Sequence, residues 1–301
     1  MAKPAKDRTA AGWQPPRKRL DAITMTDKPE DTSDTRLFAP IADIRAAVTF
    51  LTRLPVGFLD GGGPHRALSA CAWAFPVAGL TVGLAGGAVF WLSGWAGLSP
   101  WIAAFLTLAA TALITGALHE DGLADAADGL GAGGPVERKL EIMRDSRIGG
   151  YGALALILAT GLKAAAIASF APGLAGAATI AAVHILSRAV LPAVMAILRP
   201  ASASGVAASA GRPGPGVALV AAALGAAGAL LLLGPCAAIA ALLGAAMAGL
   251  AAGALLARAL GGYNGDTIGL LEQLSEIAIM LALLIAAASF NISVQTGAAF
   301  G

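Results

Sequence analysis

Apolar positions in this chain neither alternate nor recur at the 3.6-residue spacing of a half-buried helix over most of its length; they run on. A helix needs about 20 apolar residues to cross a hydrocarbon core of roughly 30 Å. About seven runs are long enough: 68–92, 100–118, 150–171, 174–198, 215–233, 236–258 and 274–292. The last is the most uniform, with Ile277 to Ala288 wholly apolar. Gly and Ala recur at small-xxx-small spacing over 79–87 and 244–253, which predicts helices that pack closely in lipid. Before these runs the pattern differs. Ile41, Ile44, Val48 and Leu51 fall at helical spacing between Phe38 and Leu54, with Asp43 and Arg45 on other faces. That stretch is too short and too charged to span, and predicts an interfacial or re-entrant amphipathic helix. It leads into a glycine-rich loop at Gly61-Gly62-Gly63-Pro64. The fold class is therefore an all-α polytopic membrane protein.

Residues 1–38 are polar and charged with no apolar periodicity, so they read as a disordered extension. They form either a basic tail or a stretch upstream of a start at Met25, and no apolar segment follows the basic residues as a signal peptide would require. The membrane domain runs over 39–292, and 293–301 form a short tail. Composition agrees: the chain is 57% hydrophobic and 13% charged, against roughly 45–50% and about 25% for soluble domains. A net charge of +2 without a basic stripe excludes a nucleic-acid footprint. Cys71 and Cys236 lie in apolar runs far apart in sequence, so they read as small hydrophobes, not a disulfide or metal site.

Charge is distributed unevenly. The connections at 93–99, 172–173 and 234–235, and the tail, carry no Lys or Arg. The others carry Arg138, Lys139, Arg144, Arg147, Arg199, Arg212 and Arg258, which places them in the cytoplasm by the positive-inside rule, with the N-terminus inside and the C-terminus outside. The acidic residues concentrate on that same side. In His119-Glu120-Asp121-Gly122-Leu123-Ala124-Asp125-Ala126-Ala127-Asp128-Gly129, Asp121, Asp125 and Asp128 stand at i, i+4 and i+7 on one helical face. Such stacked like charges call for a cation. This helix is expected to prolong the second span past the membrane surface. The second cluster is Gly261-Gly262-Tyr263-Asn264-Gly265-Asp266, followed by Glu272 and Glu276. Asp266 is expected to start the next helix as an N-cap or a ligand, and the two glutamates enter an apolar span, where unpaired carboxylates are costly.

Two carboxylate sets with no Cys describe a hard oxygen site suited to Mg²⁺ or Mn²⁺. Because Mg²⁺ is usually held by a few carboxylates and substrate phosphates, the expected substrate is phosphorylated or a diphosphate. Between the clusters, Met143-Arg144-Asp145-Ser146-Arg147-Ile148-Gly149-Gly150-Tyr151-Gly152 offers arginine forks for phosphate oxygens, or simple cytoplasmic anchors. Lys163, His184 and Arg188 lie inside spans and must face a cavity or each other. The Gly/Ser-rich loop from Arg199 to Pro213 either cradles phosphate or merely connects.

These blocks resemble the cobalamin synthase family. The residues that carry the resemblance are Phe50-Leu51-Thr52-Arg53-Leu54-Pro55, His119 to Asp125 with Asp128-Gly129, Asp145-Ser146-Arg147-Ile148-Gly149 with Tyr151-Gly152, and Gly262 to Asp266 with Glu272 and Glu276. It runs from about residue 40 to 290; Asn264 departs from it, since the family more commonly has Thr there. The resemblance implies a multi-pass transferase of the bacterial inner membrane, with its site facing the cytoplasm. It would join adenosylcobinamide-GDP to α-ribazole or its 5′-phosphate, release GMP and need Mg²⁺. Self-association is left open.

On these combined grounds Asp121, Asp125 and Asp266 are expected to hold Mg²⁺, with Glu120 and Glu276 as further ligands and Asp128 as the base beside Asp125. Arg144 and Arg147 are expected on diphosphate oxygens, and Arg53, His119, Asp145, Ser146, Tyr151, Arg188 and Asn264 elsewhere on substrate. Other membrane enzymes with Asp-rich Mg²⁺ motifs fit less well. The spacing departs from the Asp-x-x-Asp-Gly-x-x-Ala-Arg of CDP-alcohol phosphotransferases and from the repeats of prenyltransferases. An ion-coupled carrier would place its carboxylates near the midplane within inverted repeats.

Overall fold

The computed structural model describes residues 40–56, 67–202 and 205–290. The disordered extension over 1–38, the loop at Gly61 to Pro64 and the tail over 293–301 lie outside those residues. The described residues are mostly helical, and an isolated strand-like bridge pairs Pro200 with Tyr263. In order, the helices are α1 (Pro40–Leu51), α2 (Leu68–Cys71), α3 (Phe75–Trp95), α4 (Pro100–Thr115), α5 (Leu118–Gly131), α6 (Val136–Met143), α7 (Gly150–Ala168), α8 (Leu174–Ile197), α9 (Val206–Ala210), α10 (Pro215–Leu233), α11 (Pro235–Leu260) and α12 (Gly265–Phe290). Six helical segments are long and apolar enough to cross a membrane, and the α4–α5 pair, bent by 90°, makes a seventh if counted as one.

The glycine spacing packs as expected. Gly79, Gly83 and Gly87 of α3 press against the backbone of α8. A Cβ on Gly83 would lie 2.6 Å from Ala181 Cα, and one on Gly87 would lie 2.7 Å from Ala177 O. On α11, a Cβ at Gly244 would sit 2.7 Å from Ala278 O of α12. With no hydrophobic drive between helices in lipid, such close backbone approach supplies the dispersion contacts that hold them. α8 is the most enclosed span, contacting α3, α10, α11 and α12.

Three expectations are corrected. The second span does not continue into the acidic helix. α4 ends at Gly116 (φ 68°), and Ala117 (φ 56°) is also left-handed, which turns the chain by 90° into α5. Arg53 secures this corner: its backbone N–H donates to Ile114 O at 2.6 Å, and its guanidinium donates to Gly116 O at 3.4 Å. Both carbonyls belong to a helix C-terminus that has orphan acceptors. α5 then lies across the N-termini of two spans. At one end a Cβ on Gly122 would meet Asp266 O at 2.8 Å, and at the other Asp128 bonds the start of α7. By itself α5 is not among the six segments long and apolar enough to cross a membrane.

The last span begins at Gly265, not near 274, so Glu272 and Glu276 lie within it. Finally, α1 does not present Asp43 on an open polar face. Asp43 is buried, accepting from Trp73 Nε1 at 2.9 Å and Cys71 Sγ at 3.3 Å, whereas Ile41 is exposed.

Candidate active site

Asp266 joins the first acidic cluster because α12 is capped by another residue. Asn264 Oδ1 accepts the N–H of Thr267 at 2.9 Å, and Thr267 Oγ1 accepts the N–H of Asn264 at 2.9 Å. This reciprocal pair closes the helix start and leaves the carboxylate of Asp266 free of that duty. Asn264 Nδ2 also donates to Asp266 Oδ2 at 2.9 Å, orienting it. Asp121 and Asp125 approach from α5. Burial, then the charges of Asp121, Asp266 and Asp128, raise Asp125 to about 6. Among the described residues Asp121, Asp125 and Asp266 make no ion pair. Arg144, at the C-terminus of α6, is the cation whose charge reaches Asp266.

An acidic, uncompensated donor set of this kind fits a hard divalent cation. It is an open one: among the described residues only His184, Glu272 and Glu276 bring ligand atoms within 4.8 Å of one another. A cation between α5 and α12 would therefore keep water or substrate oxygens in its shell, as Mg²⁺ commonly does.

Asp128 is committed elsewhere. Its Oδ2 accepts the N–H of Gly149 at 2.7 Å and its Oδ1 that of Gly152 at 2.8 Å, so both oxygens tie α5 to the start of α7. Arg147 and Asp145 form an exposed bidentate pair, 2.6 Å at the shortest. Hydrogen bonding to Arg147 holds Asp145 below the usual carboxylate range, and the same bonds raise Arg147. Ser146 is exposed beside them. Tyr151 is exposed and its ring lies over Gly131, where a Cβ would come within 2.6 Å. Arg53 stays at the α4–α5 corner.

Glu120 and Glu276 do not join the aspartates. They belong to a buried ionic network between α5, α7, α8 and α12. Glu276 accepts from Lys163 Nζ at 3.1 Å and His184 Nδ1 at 2.6 Å, and from Arg188 Nη1. Arg188 also contacts Glu272, and its Nη2 is 3.5 Å from His119 Nδ1. Lys163 donates to Gln273 Oε1 at 2.6 Å and lies 3.6 Å from Glu120 Oε1. Gln273 Nε2 donates to Glu272 and Glu120 at 3.0 and 3.2 Å. The His184, Glu272 and Glu276 trio already has its positive charge from Arg188 and Lys163. Lys163 and Arg188 do face partners inside the spans, as their position demands. Their pairing with Glu272 and Glu276, and the role of Gln273, had no signal beyond ionisable residues in apolar runs.

The described part of the loop after α8 is held by backbone hydrogen bonds. Tyr263 N donates to Arg199 O at 3.0 Å and Ala201 N to Tyr263 O at 2.8 Å, while Arg212 donates to Ala196 O and Ile197 O at 2.7 and 3.0 Å.

The family model described as cobalamin-5-phosphate synthase matches residues 43–284. The chain is 50% identical over 241 residues to the adenosylcobinamide-GDP ribazoletransferase of Bradyrhizobium diazoefficiens, covering 80% of this chain and 92% of that protein. It is 46% identical over 247 residues to the same-named protein of Mesorhizobium japonicum, covering 82% and 94%. For that of Rhizobium meliloti the identity is 43% over 252 residues, covering 81% and 96%. No solved structure matches the chain.

Proposed function

Because this chain belongs to the cobalamin-5-phosphate synthase family, we propose that it transfers the corrinoid-linked phosphate of adenosylcobinamide-GDP to α-ribazole or its 5′-phosphate, releasing GMP. The observation that carries the chemistry is the gathering of Asp121, Asp125 and Asp266 from two helices, with no ion pair among the described residues and with the charge of Arg144 acting on Asp266. These three carboxylates would hold Mg²⁺, which supplies charge neutralisation on the diphosphate when bound.

The protein's own part is positioning. Arg144, at the end of α6, would bind diphosphate oxygens, and Asn264 orients Asp266. Reactions of this type depend mainly on alignment and electrostatic stabilisation. Asp128 has both oxygens on backbone donors, so we assign it to holding the Arg144 to Gly152 turn against α5, not to proton transfer. Arg147 contributes to phosphate binding only by exchanging its Asp145 partner, and an exposed pair of this kind is readily exchanged.

The Lys and Arg asymmetry of the connections supports a site on the cytoplasmic face of the bacterial inner membrane. A carrier would use Glu272 and Glu276 as coupling groups, but Arg188, Lys163 and His184 hold them. The test is Asp125→Asn in isolated membranes. Mg²⁺-dependent GMP release should be lost at unchanged protein level, and near-normal activity would sink the metal assignment.

A further inference from the structure

Beside Asp121 and Asp266 lies a cavity of about 230 Å³. Its walls are apolar: Phe50, Phe75, Met195, Tyr263 and Ile268 contribute most of their bulk, from four different helices and the turn before α12. Phe50 and Phe75 stand nearly parallel, with ring centroids 6.4 Å apart and planes at 18°. Among the described residues the polar side chains in the lining are His119, Asp121, Asp266 and the Tyr263 hydroxyl, which donates to Gly211 O at 3.4 Å. His119 is buried, and its Nε2 has no hydrogen-bond partner among the described residues.

Size and lining together select the occupant. Pockets for whole drug-sized ligands span about 300–1,000 Å³, so this cavity takes one small ring system and excludes a corrin macrocycle. Guanine would bring several edge donors and acceptors against a mostly apolar lining whose two carboxylates are assigned to the cation. A benzimidazole has an apolar rim and stacks on aromatic faces. We propose that the cavity seats the aromatic base of the nucleoside acceptor, with its ribose turned toward Asp121 and Asp266. This inference rests on the transferase function above and assigns the corrinoid donor to the outside of the cavity.

Internal competition tests it. Membranes bearing the full chain are given equal amounts of α-ribazole and its analogue lacking the two ring methyl groups, and the ratio of the two corrinoid products is measured. That ratio reports relative kcat/KM whatever the expression level or binding order. Ala207→Leu, which fills the cavity, should shift the ratio roughly tenfold toward the smaller base, and Leu68→Ala, which enlarges it, should shift it the other way. If Ala207→Leu does not accumulate, Leu68→Ala decides. Unchanged ratios with product still formed would overturn the subsite alone. A shift that instead tracks replacement of guanine by hypoxanthine in the donor would also overturn it. Wild-type membranes that form product from neither nucleoside would overturn the transferase function itself.

Discussion

Asp128 Oδ2 accepts the backbone N–H of Gly149 at 2.7 Å, across the junction of α5 and α7. Gly149 is the residue before α7 and offers no side chain to cap it, so a carboxylate from another helix satisfies a donor at that N-terminus. Asp128→Ala should lower stability by about 2 kcal/mol, and Asp128→Asn, which keeps one acceptor oxygen, by less. Thermal unfolding in detergent measures both. The Mg²⁺ concentration for half-maximal activity should stay near wild type in Asp128→Asn, because Asp121, Asp125 and Asp266 remain.

Asp125 sets a pH dependence. Burial and three neighbouring aspartates raise it to about 6 in the absence of metal. Since a cation binds the carboxylate and not the acid, apparent Mg²⁺ affinity should fall as pH drops through about 6 and level off above 7. The same shift acts oppositely on the metal-free fold. Its folded value exceeds the unfolded one, so its contribution to stability is present below about 4 and lost as pH rises through about 6. Titrating activity and unfolding with and without Mg²⁺ checks both signs; a Mg²⁺ requirement flat from pH 5 to 8 would contradict the assignment.

The buried network should behave as a unit. Arg188→Met leaves Glu272 and Glu276 short of a cation, at an expected loss of about 3–5 kcal/mol. Adding Glu272→Gln should recover part of that loss, because Glu276 keeps Lys163 and His184. A double-mutant cycle in detergent-solubilised protein reads the coupling, and strict additivity would contradict the network.

Two glycines of α3 should respond oppositely to alanine. At Gly83 the new Cβ would sit 2.6 Å from Ala181 Cα of α8, so α3 and α8 must separate, at about 1–3 kcal/mol. At Gly94 nothing lies within 4 Å, and alanine should stabilise by about 0.5–1 kcal/mol. Melting temperatures of the two variants compare them directly.

Asn264→Ala should lose about 1 kcal/mol with the α12 cap and also weaken Mg²⁺-dependent activity, because Asp266 loses its orienting bond. Asn264→Thr should keep the cap and lose only the bond to Asp266. Comparing stability with Mg²⁺ half-saturation in the two variants separates the effects.

Much of this was legible in the chain itself. A run such as Ile277 to Ala288 can only be buried in lipid or protein, so the spans followed from length and apolarity. Gly79, Gly83 and Gly87 announced a close helix contact because lipid rewards small residues at an interface. The scarcity of acids outside two short stretches marked the aspartate site. The sequence also placed Lys163 and Arg188 facing a cavity or each other, and the structure pairs them instead with Glu272 and Glu276.

What only the tertiary structure decided is which acid meets which partner. Asp266 and Glu276 belong to one stretch of sequence, yet ten residues of helix carry them to different depths: Asp266 beside Asp121 and Asp125, Glu276 beside Lys163, His184 and Arg188. Local pattern places a residue on a helix face. The partner on that face depends on the left-handed corner at Gly116 and Ala117, which swings α5 across two helix ends. Such a corner costs too little, and shows too weakly in composition, to be read from the chain. Once formed, it divides the acids between a site open to a cation and a buried network that already contains its own.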